Sequence, residues 1–94
     1  MYIISLSYTR PMAEVEALLD AHISWLDRYF DAGAFIAAGR KDPRTGGVII
    51  ASDIDRDRLD AILAEDAFQA VASYEVIKVN VTRANDEVAG LMVR

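Results

Sequence analysis

The chain contains no cysteine. A disulfide framework, a thiol nucleophile and a thiolate metal site are therefore excluded. Only two prolines and five glycines punctuate its 94 residues, so little of it is loop. Basic residues are also scarce, with ten Lys and Arg against fifteen Asp and Glu and a formal net charge of −5. An acidic surface repels phosphate backbones, and the one basic cluster, Arg40, Lys41 and Arg44, is diluted by Asp42. No strand offers the aromatic-and-basic face that stacks bases, so nucleic acid is not an expected partner. No apolar run approaches the ~18 residues of a membrane helix, so no membrane partner is expected either. The start, MYIISLSYTR, lacks both a basic n-region and a long apolar h-region. It does not read as a secretory signal, and a cytoplasmic location is the expectation. There is one histidine, His22.

What is present is apolar. Hydrophobic residues make up 53% of the chain and charged residues 27%, which is too apolar for a disordered segment. With no repeat, linker or low-complexity stretch, residues 1–94 read as one domain, and 84–94 as a C-terminal arm.

Hydrophobic periodicity orders the elements. Tyr2 to Tyr8 alternates as a strand. Thr9-Arg10-Pro11 breaks it, and proline suits a first helical turn. From Met12 to Ala32 the apolar residues Val15, Leu18, Leu19, Trp25, Leu26, Tyr29 and Phe30, with His22 among them, recur at three- and four-residue spacing. This predicts one helix, closed by Gly33 at C′. Ala34 to Gly39 and Val48 to Ser52 read as a hairpin about the Arg40–Gly47 turn, with its Asp42-Pro43 and Gly46-Gly47. Asp53 or Asp55 can cap a second helix whose stripe is Leu59, Ile62, Leu63 and Asp66, with Phe68 and Val71 in an irregular exit. Tyr74 to Arg83 is the fourth strand. Asn85-Asp86-Glu87 breaks it, and Val88 to Val93 is a short apolar tail, either a helical turn or an arm.

The order β-α-β-β-α-β predicts an α+β, ferredoxin-like domain, a four-stranded antiparallel sheet with two helices on one face. The strands are nonetheless apolar on both sides, Ile3 opposing Tyr2 and Ile4, and Val76 opposing Ile77. Two helices cannot cover both faces. A second copy packed sheet to sheet covers the other, so a homodimer is expected.

Two polar residues interrupt apolar stripes. His22 lies on the buried side of the first helix, and a buried imidazole needs hydrogen-bond partners. It is either a core histidine bonded to backbone or a tyrosine, or an acid–base group. Asp66 follows the stripe of the second helix, where a carboxylate is costly unless paired. It either caps the turn at Phe68 and Gln69 or meets His22. The antiparallel helices permit that contact without forcing it. A His22–Asp66 pair would fix the imidazole tautomer and support proton transfer. No serine carries a nucleophile motif, and neither HExxH, a P-loop nor a dinucleotide glycine pattern occurs. The mixed-sign run 53–60 lacks the glycine and terminal glutamate of a calcium loop. No cofactor or metal is implied. Arg40, Lys41 and Arg44 could guide an anionic ligand or stay solvated.

His22, Gly33, Ala38-Gly39 and Asp66-Ala67-Phe68 together resemble the YCII-related family, over most of the chain to about Val81. The resemblance implies a ferredoxin-like fold dimerising as an α/β barrel, and a His–Asp pair in a cleft, here His22 and Asp66 as the catalytic residues. A few relatives look like lyases or dehalogenating enzymes acting on small ring compounds. The chain departs from the pattern where Ala67 replaces the usual proline and Arg40 follows Gly39 where proline is common. The usual glycine is also missing from Val71-Ala72-Ser73-Tyr74. Two functions are expected in competition. One is a homodimeric enzyme moving a proton on a small molecule, of isomerase or lyase type. The other is a non-catalytic ligand-binding or oligomerisation module with His22 as a core residue.

Overall fold

A computed structural model describes residues 1–91. β1 (Tyr2–Tyr8) leads through α1 (Met12–Ala17) and α2 (Leu19–Asp31) to β2 (Phe35–Arg40) and β3 (Gly46–Ala51). α3 (Arg56–Ala64) and a 3₁₀ turn (Ala67–Ala70) then lead to β4 (Ala72–Lys78), and a second 3₁₀ segment covers Asp86–Leu91. The sheet runs β2-β3-β1-β4 with every neighbouring pair antiparallel. This is the α+β, ferredoxin-like arrangement that the element order predicts.

Alternation in β1 decides which face the helices take. Tyr2, Ile4 and Leu6 are buried with Ile49 and Ala51 of β3 beneath Val15, Trp25, Leu59, Ile62 and Leu63 of the helices. Trp25 links the two helical layers, its indole N–H donating to the Ile62 carbonyl at 2.9 Å. That bond satisfies the one polar atom of a fully packed side chain. The opposite face carries the row Ile77–Ile3–Ile50–Ala37, in register across all four strands.

The first helix is two helices. The Leu18 N–H bonds to the Val15 carbonyl at 3.1 Å, an i→i+3 turn, and α2 then starts afresh. Neither proline nor glycine marks this break, so periodicity alone reads through it. β4 ends at Lys78 rather than Arg83; its ladder with β1 runs to Lys78 opposite Tyr2, and Met1 and Val79 exchange the last pair of backbone bonds, each at 2.9 Å. β3 begins two residues earlier than its apolar run, since Gly46 and Gly47 pair with Ser7 and Leu6. A Cβ on Gly46 would lie 1.8 Å from the Leu6 carbonyl oxygen, so the glycine here serves strand approach rather than a turn. Gly33 takes φ +78° as the helix terminator. Asp55 is the N-cap of α3, without a side-chain capping bond. Of the apolar tail, residues 92–94 lie outside the described residues.

Candidate functional site

α2 presents one face to the sheet, and His22 stands on that face one turn before Trp25 and Leu26. α3 ends at Ala64, and the chain turns through Glu65 into the 3₁₀ turn with Asp66 as its N-cap. The Asp66 side chain accepts the Phe68 N–H at 3.0 Å, the usual way a short acceptor starts a turn. The same oxygen, Oδ1, stands 2.7 Å from His22 Nδ1. The other, Oδ2, accepts the Tyr74 hydroxyl at 2.5 Å. The two expectations for Asp66 are therefore compatible, since one carboxylate caps the turn and meets the histidine.

Asp66 is the buried charged residue among the described core, with its side chain at 0% exposure. Such burial is costly for an unpaired carboxylate. The Phe68 N–H and the Tyr74 hydroxyl donate to it instead, and His22 Nδ1 stands within hydrogen-bond distance of the same carboxylate. The imidazole Nε2 makes no hydrogen bond among the described residues. The ring stacks on Phe68 with centroids 3.8 Å apart and planes 3° from parallel. The Trp25 ring lies 5.5 Å from it, tilted by 32°.

Tyr74 was not singled out by sequence reasoning. Burial, then its bond to Asp66 and the charge there, push its phenol well above the ordinary tyrosine value. A signal did exist. Tyr74 shares the helix-facing phase of β4 with Val76, and a tyrosine on a core face needs a polar partner.

The sequence of the YCII-related domain matches residues 1–83. The chain belongs to the YCII-related family. No curated protein matches it. In this YCII-related chain, His22 forms part of the wall of a cavity of about 320 Å³ between α2 and the β2–β3 end of the sheet. That is at the lower end of the ~300–1,000 Å³ of small-ligand sites. The wall is mostly apolar, with Leu19, Ile23 and Leu26 from α2 facing Val48 and Ile49 from β3 and Phe68 from the turn. Asp66 is not part of the lining and stands behind the imidazole. Of the basic cluster, Arg40 and Arg44 reach the cavity, whereas the Lys41 ammonium donates to Ser7 Oγ at 3.2 Å. Among the described residues no three His, Cys, Asp or Glu side chains are grouped to hold a metal ion. No helix there is long and apolar enough to cross a membrane.

The remaining charged residues do other work. Arg56 pairs with Asp60 at 2.8 Å and Arg10 with Glu14 at 3.1 Å, both one turn apart on exposed helix surfaces. Such pairs contribute little. Tyr29 donates to Glu65, which raises the phenol's pKa. Arg28 reaches the same carboxylate at 3.1 Å, tying α2 to the end of α3.

Proposed function

We propose that this protein is a small acid–base enzyme in which His22 moves a proton on a small organic molecule held in the cavity. One observation carries this reading. The single imidazole of the chain is held by Nδ1 against a buried carboxylate and lies in the wall of a cavity. In this reading Nε2 takes a proton from a carbon or hydroxyl of the substrate. Asp66 stabilises the imidazolium and keeps the tautomer, as the orienting acid of a catalytic dyad does. The electron pair left on the substrate forms a double bond, either with loss of a leaving group or with return of the proton at a neighbouring atom. Lyase and isomerase outcomes follow from the same first step.

The working unit in this proposal is a homodimer. Ile36 and Ile77 are 41% and 43% exposed, flanking the half-buried Ile3 and Ile50. An apolar sheet face of this kind supports a second copy packed against it.

The test is a panel of small enolisable ketones, keto acids and substituted ring compounds followed by proton NMR in D₂O. Deuterium entering at carbon, at a rate that falls about 10²-fold or more in His22→Gln, is the expected result. If no compound exchanges, and diethyl pyrocarbonate leaves His22 of the folded chain unmodified, the protein is a non-catalytic binding module.

A further inference from the structure

The cavity inverts the charge of the molecule around it. Arg40, at the end of β2, and Arg44, in the β2–β3 loop, line it with His22, and among the described residues no Asp or Glu does. The whole chain meanwhile carries −5. The loop bearing Arg44 is tied down on both sides. Thr45 donates its N–H to the Pro43 carbonyl at 2.7 Å, and its own carbonyl accepts the Tyr8 N–H at 2.9 Å. Arg44 is therefore placed by backbone bonds. Its Nη1 lies 3.8 Å from Glu16 Oε1, too long for a hydrogen bond. Its Nε is buried and has no hydrogen-bond partner among the described residues. That N–H is closed off from the cavity, so what Arg44 presents to a ligand is the exposed part of its guanidinium, the side chain being 33% exposed. A guanidinium edge presents parallel donors that match the two oxygens of a carboxylate.

We propose that the cavity binds a small monocarboxylate with an apolar body. The carboxylate is held by Arg44, with Arg40 adding charge at the exposed end of β2. The body lies against Leu19, Leu26, Ile49 and Phe68, beside His22. The wall is too apolar to suit a bare inorganic anion, and its cations are unsuited to a neutral hydrocarbon. As a statement of substrate class this rests on the proposed reaction. As a statement of binding it stands apart from it.

Benzoate and its neutral isostere benzamide separate the two. Each is titrated into the isotope-labelled full chain, and binding is followed at the His22 imidazole and the amides of Gly47 and Phe68. Benzoate is expected to shift these signals and saturate, binding on the order of tenfold or more tighter than benzamide. Arg44→Gln should bring benzoate down to the benzamide level and leave benzamide unchanged. Arg44→Lys should recover part of the difference, and Arg40→Gln should cost less than Arg44→Gln. Trp25 fluorescence and the amide spectrum verify that each variant is folded. Equal binding of the two probes overturns the proposal, as does benzoate binding undiminished in Arg44→Gln, or no binding of either. Turnover lost in His22→Gln tests the reaction, whereas charge discrimination between the probes tests the anion site, so either can fail alone.

Discussion

His22 and Asp66 are 44 residues apart in the chain, and Nδ1 of one lies 2.7 Å from Oδ1 of the other. The backbone makes this meeting reproducible. Asp66 is held by its role as cap of the turn after α3, where it accepts the Phe68 N–H. Phe68 in turn stacks on the imidazole. Capping, stacking and pairing therefore fix one geometry together. Removing any one is expected to loosen the other two, a coupling best measured by double-mutant cycles.

The Asp66–Ala67 junction predicts a stabilising substitution. Asp66 is extended, with φ −70° and ψ 128°, which is what a residue before proline prefers. Ala67 opens the 3₁₀ turn, and its N–H makes no backbone bond among the described residues. Ala67→Pro should raise stability by about 0.4–1 kcal/mol through the unfolded state. Urea unfolding followed by Trp25 fluorescence checks this, and a loss of stability would show that the turn needs that N–H.

Tyr74 gives the protein an alkaline limit. Burial and the bond to Asp66 raise its pKa in the folded state. The unfolded chain releases this proton near the ordinary value of about 10, while the folded chain retains it. The folded state then binds more protons than the unfolded one, so stability falls as pH rises above about 10. Tyr74→Phe should flatten that decline. At neutral pH the same variant should cost about 1–3 kcal/mol, because Oδ2 of a buried carboxylate loses its donor. Denaturant unfolding across pH tests both, and an unchanged alkaline slope would assign the decline to another group.

Leu59 has no exposed surface in the core beneath α3. Leu59→Ala should cost about 2–5 kcal/mol, as buried leucines do when truncated. A cost under 1 kcal/mol, read from urea unfolding, would mean that α3 settles into the space.

The uncovered sheet face predicts an assembly. Light scattering should give twice the chain mass of 10.4 kDa. Ile77→Glu, which places a carboxylate on that face, should halve it. A chain that is monomeric at all accessible concentrations would leave this face without its second copy.

Strand and helix order was legible because side-chain period follows burial, as in the alternation of Tyr2, Ile4 and Leu6. Element ends were less so. The break at Leu18, closed by a bond to Val15, carries no proline or glycine to mark it, and the end of β4 at Lys78 depends on pairing with β1, which local sequence does not contain. His22 and Asp66 stood out because each interrupts an apolar stripe. Tyr74 did not, since a tyrosine in a strand looks like ordinary β-propensity until its hydroxyl needs a partner. Arg44 was legible only as one of three loop cations, with Arg40 and Lys41, that could guide an anion or stay solvated. Its place in the cavity wall follows from how the loop is tied to β1.

The most direct test of the account is the tautomer of His22, read from the imidazole nitrogen shifts in labelled protein at a pH where the ring is neutral. One histidine makes the signal unambiguous. The Nδ1–H form should dominate in the native chain. In Asp66→Asn, whose amide can donate to Nδ1, the hydrogen should move to Nε2. A native ring protonated mainly on Nε2, or a tautomer indifferent to Asp66→Asn, would contradict the pairing on which the proposed chemistry depends.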